Sequence, residues 1–180
     1  MNRRTLLLAI ASSIIGVAAC SSGAPPATTA TPVSQPAIQE ADVPPPLKVP
    51  PGNKLTASLD GAGVQIYQCS NGAWNLLQPA ATLSDQGKPV GLHFKGPIWV
   101  STLDGSEVGA TTVATVNQDG AVPQLLLKTT QNQGQGAFSN VSYVQRLRTN
   151  GGTAPSGSCI NGVQQAIKYS AVYRFWSASA

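Results

Sequence analysis

The chain carries a single histidine, His93, and any acid–base or metal chemistry has to be built around it. One imidazole cannot make a histidine-rich metal site. It could act as a general base, or as one ligand among carboxylates. Two acids lie close in sequence, in Asp104-Gly105-Ser106-Glu107, and could share a site with His93 across a hairpin. Lys95 or Arg146 would then supply electrophilic support. The setting of His93, Gly91-Leu92-His93-Phe94-Lys95-Gly96-Pro97, reads as a strand entering a turn. Alternation places the imidazole on the face opposite Leu92 and Phe94, the expectation for a solvated or hydrogen-bonded strand histidine.

Other chemistries are excluded by residue types. No Gly-x-Ser-x-Gly elbow is present for nucleophilic catalysis. Gly61-Ala62-Gly63 invites a dinucleotide reading, but Val64-Gln65-Ile66-Tyr67-Gln68-Cys69 alternates like a strand where that fingerprint requires a helix. From Gly52 onward the acids are Asp60, Asp85, Asp104, Glu107 and Asp119, mostly in Asp-Gly or similar turn settings where the carboxylate bonds its own backbone. No metal site and no cofactor is expected. Trp74, Trp99 and Trp176, with Tyr67, Tyr143, Tyr169 and Tyr173, could form a stacking platform, although strand aromatics more often fill a core. Arg146, Arg148 and Arg174 could bind an anion or face solvent.

The elements that must position these groups are short. Runs such as Lys54–Leu59, Val64–Cys69, Val90–Phe94, Ile98–Thr102, Ala110–Val116, Val122–Thr130, Asn140–Arg148 and Ala166–Trp176 are rich in β-branched and aromatic residues. Turn signals separate them: Asp60-Gly61, Asn71-Gly72, Lys95-Gly96-Pro97, Asp104-Gly105 and Asp119-Gly120. A spacing near ten residues with no helical stripe predicts an all-β fold, a single antiparallel β-sandwich or barrel-like domain over 52–180.

Ahead of it, residues 20–51 hold nine of the 14 prolines and only three charges, Glu40, Asp42 and Lys48. Such a segment buries too little apolar surface to fold by itself and reads as a disordered, semi-rigid tether. At ~3.1 Å per residue it could hold the domain up to ~90 Å from a bilayer.

Residues 1–19 have the pattern of a secretory signal, with Arg3-Arg4 followed by an apolar run from Leu6 to Ala19. The run is too short for a spanning helix. Arg3-Arg4-Thr5-Leu6-Leu7 also resembles a twin-arginine signal, so both export routes stay open. Val17-Ala18-Ala19-Cys20 resembles the bacterial lipobox, which implies a lipid, palmitate among its chains, on Cys20 and anchorage in the cell envelope. Ser21 lacks an aspartate retention signal, favouring the outer membrane in a Gram-negative cell. Loss of Arg3 and Arg4 with the signal lowers the formal charge from +4 to +2. With no basic cluster, that charge suggests no nucleic-acid partner. If Cys20 takes lipid, Cys69 and Cys159 are left to pair in an oxidising compartment. Two free thiols or a redox pair are the alternatives.

Val49-Pro50-Pro51-Gly52-Asn53-Lys54-Leu55 and Gly63-Val64-Gln65-Ile66-Tyr67-Gln68-Cys69 resemble the opening of an uncharacterised secreted family, domain of unknown function 3455. Pro79-Ala80-Ala81-Thr82-Leu83, Gly91 to Trp99, Asp104-Gly105-Ser106 with Val108, and Tyr143-Val144-Gln145-Arg146 continue it. Thr149-Asn150-Gly151-Gly152, Ala154-Pro155 and Cys159 complete the pattern. The resemblance implies one secreted unit and supports a Cys69–Cys159 disulfide. It implies no activity. Some fungal members carry the label malate dehydrogenase, which this chain contradicts: it has no nucleotide fingerprint, no room for a second catalytic domain and no suitable arginine–histidine–aspartate set.

The leading expectation is a non-catalytic binding or structural module of the envelope, with an unknown ligand or envelope protein as partner. The alternative is a small hydrolase or lyase using His93 with Asp104 or Glu107. A buried, clustered His93 with a shifted pKa in a cleft would favour the enzyme. An exposed aromatic groove would favour ligand binding. The candidate site residues are His93, Trp99, Asp104, Glu107 and Arg146.

Overall fold

Eight strands follow one another in chain order, each antiparallel to the next, and the last returns to the first. They are β1 (Asn53–Ser70), β2 (Ala73–Asp85), β3 (Lys88–Phe94), β4 (Ile98–Ser101), β5 (Glu107–Gln118), β6 (Ala121–Gln133), β7 (Val141–Gly151) and β8 (Gln164–Ala178). The computed structural model describes residues 36–179; the signal segment, Cys20 and the first part of the tether lie outside the described residues. The all-β expectation is met, and closure decides between its two forms. Pairing of β1 with β8 from Asn53↔Ala178 to Gln68↔Gln164 makes the sheet a barrel. Closure pairs β1 and β8 along nearly their whole length, so neither terminal strand is left as an edge.

Tight turns set the up-and-down path. Asn71 and Gly72 have φ of 54° and 74°, as a two-residue hairpin requires, and Gln86 and Gly87 repeat the geometry at 47° and 80°. Asp104-Gly105 and Asp119-Gly120 also turn. Asp60-Gly61 does not. β1 runs straight through it, with Asp60 facing Ser84 on one side and Val172 on the other. The glycine serves packing instead: a Cβ at Gly61 would fall 2.6 Å from Cε2 of Tyr173.

Apolar side chains fill the barrel. Phe138 stacks on Phe175 with centroids 4.5 Å apart, and Trp99 meets Phe175 edge-on at 6.1 Å. Leu59, Leu83, Val108 and Val144 complete this plug. The outward face mixes polar and charged groups, exposed Lys54, Ser58, Asp60, Thr111, Lys128 and Lys168, with exposed Leu92, Phe94 and Val113.

The tether expected over 20–51 differs at its C-terminal end. Residues 36–51 lie against the barrel, with short 3-10 turns at Glu40–Asp42 and Pro45–Leu47. Val43 and Leu47 are buried with Leu126 and Leu147 of the outer wall, and Ile38 and Val49 pack beside them. Gln145 donates from Nε2 to the Leu47 carbonyl at 2.7 Å and accepts from Trp176 Nε1 at 2.8 Å. Arg174, stacked over the Trp176 ring, pairs with Glu40 at 2.6 Å. The segment has too few apolar residues to fold alone, but it needs no core of its own when the barrel provides one.

A disulfide joins Cys69 to Cys159, closing a sequence separation of 90 residues. Hydrogen bonds from Cys69 N to the Val163 carbonyl and from Gly162 N to the Cys69 carbonyl hold the same junction. The loop before β8 is thereby fixed to the end of β1.

Candidate ligand site

Strand lengths create the site. The β3–β4 hairpin is short and turns at Lys95–Pro97, while β2 and β5 on either side run on past it. β2 pairs with β3 only from Ala81↔His93 onward, so Ala73 to Ala80 has β1 on one side alone. β5 pairs with β4 only up to Ile98↔Gly109, and beyond that has β6 alone. The wall stops short here, and a chamber of about 320 Å³ opens into the barrel. That is the lower end of the ~300–1,000 Å³ usual for small-molecule sites.

His93, Gln65, Trp99, Tyr173, Leu127 and Arg146 reach the chamber from β3, β1, β4, β8, β6 and β7. Leu76, Leu77 and Pro79 of β2, Pro97 of the turn and Leu125 of β6 add apolar wall. Arg146 lies opposite both Tyr173 and Leu125 in its two ladders, which carries it inward.

Of the two expectations for His93, solvated or hydrogen-bonded, the structure gives the second: it is 2 % exposed and bonded to the Ile98 carbonyl. A bulge supplies the reason. Leu83 pairs with Gly91 but Ser84 pairs with Pro89, so Val90 is the extra residue. The bulge breaks the alternation. Val90 packs on the core while Gly91 and His93 also turn inward. Leu92 and Phe94 face out, 45 % and 37 % exposed. The imidazole lies flat on the Trp99 indole, centroids 4.6 Å apart and planes 4° apart, with the Tyr173 ring tilted at 5.1 Å.

Hydrogen bonding fixes the imidazole tautomer. His93 Nδ1 is 2.9 Å from the Ile98 carbonyl, which can only accept, so Nδ1 carries the proton and Nε2 keeps its lone pair. Burial pushes the His93 pKa down to about 4, outweighing the carbonyl contact that raises it, and the Arg146 charge depresses it further. The ring is neutral at neutral pH. The same charge holds down the hydroxyls of Tyr67, Tyr169 and Tyr173, although burial wins in each case and raises all three.

Two donors on chamber-lining residues, enclosed within the wall rather than open to the chamber, have no acceptor. Gln65 Nε2 and Trp99 Nε1 are buried and unbonded among the described residues. A buried unpaired donor costs about 1–3 kcal/mol. Arg146 gives Nε and Nη2 to the Pro123 carbonyl at 3.0 and 2.8 Å. Among the described residues the ion pair present is Arg174–Glu40, so Arg146 has no carboxylate partner.

The structure brings His93, Trp99 and Arg146 together, with Lys95 at the mouth, and leaves Asp104 and Glu107 elsewhere. Asp104 Oδ1 accepts from Ser106 N and Oγ at 2.9 and 2.6 Å, and Oδ2 accepts from Ala137 N at 3.0 Å. These contacts, led by the Ser106 hydroxyl, hold its carboxyl well below the usual range. Asp104 therefore ties two loops together. Glu107 starts β5, opposite Val100 and Gln133. Arg148 donates to the Pro36 carbonyl at 2.5 Å and Arg174 serves the docked segment.

His93 thus meets the criterion of burial with a shifted pKa, but the shift carries it away from neutrality and no acid lines the chamber. A general base works best with a pKa near the operating pH. Gln65 and Tyr173 were not distinguished by sequence. A signal for both existed: the alternate positions Gly63, Gln65, Tyr67, Cys69 on β1 and Tyr169, Ala171, Tyr173, Phe175 on β8 share the inward face.

Residues 50–177 match the family model described as protein of unknown function (DUF3455), and the chain belongs to that family. No curated protein and no solved structure matches. The family fixes the domain's extent and leaves its activity to be argued from the chamber.

Proposed function

We propose that this domain is a non-catalytic ligand-binding barrel held at the bacterial envelope by lipid on Cys20. The observation that carries the reading is the open chamber itself, apolar along Leu76, Leu77, Pro79 and Leu125 and holding Arg146, which has no carboxylate partner among the described residues. Fold stability alone would not half-bury an unpaired guanidinium beside an apolar wall, since burying a charge without a partner is costly. A chamber with apolar wall on one side and a few convergent polar groups on the other is the usual make-up of a small-molecule site. The hydrolase or lyase alternative loses its acid partners, because Asp104 and Glu107 do not reach His93's chamber.

Anchorage rests on the lipobox-like Val17-Ala18-Ala19-Cys20, and residues 36–51, docked on the barrel, do not serve as spacer. Metabolic labelling with a fatty-acid analogue, lost in Cys20→Ser, tests that half.

Thermal-shift measurements against small aromatic and aliphatic compounds test the binding half, with Leu125→Trp alongside to fill the chamber. Stabilisation in the parent that disappears in Leu125→Trp is the expected result. Turnover of a compound by the parent, abolished in His93→Ala, would overturn the non-catalytic reading. Equal shifts in parent and Leu125→Trp would place binding outside the chamber.

A further inference from the structure

We propose that the chamber, read as a ligand site, selects a small monoanion: a carboxylate head against Arg146, with an apolar aryl or alkyl body along Leu76, Leu77, Pro79 and Leu125. This inference rests on the binding reading above and narrows it to a chemical class.

Charge comes first. Lys95 and Arg146 are the charged residues lining the chamber, and both are positive. Lys95 is exposed at the turn, where solvent screens it, whereas Arg146 is half-buried and held in place by two bonds to the Pro123 carbonyl. A guanidinium so held is a pre-oriented fork for an oxyanion. Its ladder neighbours are Leu125 and Tyr173, and neither brings a negative charge. Its charge depresses the pKa of His93 and offsets part of the upward push of burial on Tyr173, both of which line the chamber.

Hydrogen-bond bookkeeping points the same way. The Arg146 guanidinium keeps N–H groups beyond the two it gives to the Pro123 carbonyl. The Tyr173 and Tyr169 hydroxyls are engaged with each other at 3.2 Å. A ligand that completes the wall must therefore bring acceptors, and a carboxylate brings two oxygens with about four lone pairs. A single fixed cation matches one negative charge, which disfavours phosphate dianions and dicarboxylates, whose second charge would be desolvated without a partner. The remaining wall is apolar, so the rest of the ligand is apolar too. His93, neutral with a free Nε2, accommodates a protonated group on the ligand but does not compete for the anion.

The test compares acid with amide. Benzoate and octanoate are titrated into the purified full chain at pH 7.5, followed by calorimetry, against benzamide and octanamide as uncharged isosteres. The expected result is that at least one acid binds about tenfold or more tighter than its amide, the usual difference for a hydrogen bond made to a charged rather than a neutral group. Arg146→Gln, checked for an unchanged circular-dichroism spectrum, then brings acid and amide to similar affinity by weakening the acid alone. If acid and amide bind equally in the parent, the monoanion proposal is overturned while the chamber remains a ligand site. If amides bind and acids do not, it is overturned likewise. If none of the four binds, and the wider compound panel gives no shift sensitive to Leu125→Trp, the chamber reading fails with it. The comparison within the parent needs no variant, so misfolding of Arg146→Gln would not rescue or sink the proposal.

Discussion

The imidazole of His93 lies parallel to the indole of Trp99, 4.6 Å between centroids, and the two sit directly opposite in the β3–β4 ladder. A non-polar bed favours the neutral imidazole, and this sets the acid stability of the domain. In the unfolded chain the group titrates near its ordinary value of 6.5, whereas in the folded domain burial lowers that to about 4. The unfolded state thus binds the proton first, so the contribution is full above pH ~6.5 and is lost as pH falls from there through about 4. The magnitude is about 3 kcal/mol at most. Urea denaturation at pH 7.5 and pH 4.0 should show a loss of that order in the parent and a much flatter profile in His93→Gln. A parent whose stability holds constant across this range would refute the burial account.

The disulfide ties the C-terminal loop to β1 across 90 residues. The chain-entropy model for a loop that long gives about 4–5 kcal/mol, and removal of a native disulfide from a small secreted domain costs about 2–5 kcal/mol. The double variant Cys69→Ala/Cys159→Ala should lose stability in that range and melt well below the parent. Addition of a reductant strong enough to open the bond should lower the parent's melting temperature and leave the variant's unchanged.

The docked segment before β1 belongs to the folded unit. Leu47 is fully buried, and Leu47→Ala should cost about 2–4 kcal/mol through lost burial and a residual cavity. Removing residues up to Pro51 would strip Arg174, 4 % exposed, of its Glu40 partner and Gln145 of the Leu47 carbonyl. A chain beginning at Gly52 should therefore be less stable and more prone to aggregate than one beginning at Pro32. Equal melting temperatures for the two would show that the docked segment contributes nothing.

Asp104 offers a control that separates structure from binding. Its carboxylate joins the Ser106 and Ala137 backbone, so Asp104→Ala should loosen the two loops and lower the melting temperature. Because the folded carboxyl titrates below its usual range, its contribution is present above the normal carboxylate pKa and fades only in strong acid. Glu107→Gln should change neither stability nor ligand affinity appreciably. Loss of binding in either variant, with the fold intact, would restore the acids to the site.

Gly61 should tolerate no side chain. A Cβ there collides with the Tyr173 ring, and Gly61→Ala should cost about 1–3 kcal/mol by forcing that ring into the chamber or the strands apart. Ligand affinity should fall with it, since Tyr173 forms part of the wall.

Sequence determined what local chemistry can determine. Asn71-Gly72 and Asp119-Gly120 turn because their residues adopt positive φ or form tight turns with little strain, whatever lies far away. Alternating β-branched runs determined the strands, whereas the three cysteines left several states open, among which the structure gives the Cys69–Cys159 disulfide.

Tertiary structure decided which face was which. Apolar Leu92 and Phe94 pointed, by pattern, to the core, yet the bulge at Val90 sends them out and turns His93 in. A bulge depends on a partner strand's register, which no single strand encodes. Proximity of Asp104 and Glu107 in sequence implied a site, but a turn carboxylate satisfies its neighbours first, and Glu107 pairs with Val100, one step of alternation off the inward Trp99–Val108 pair. Residues 36–51 looked unable to fold because their apolar residues are too few for a core of their own, and only the presence of Leu126 and Leu147 on the outer wall gives Val43 and Leu47 something to bury against. The chamber itself comes from the difference in length between the β3–β4 hairpin and its neighbours, a property of eight strands closed together and of none alone.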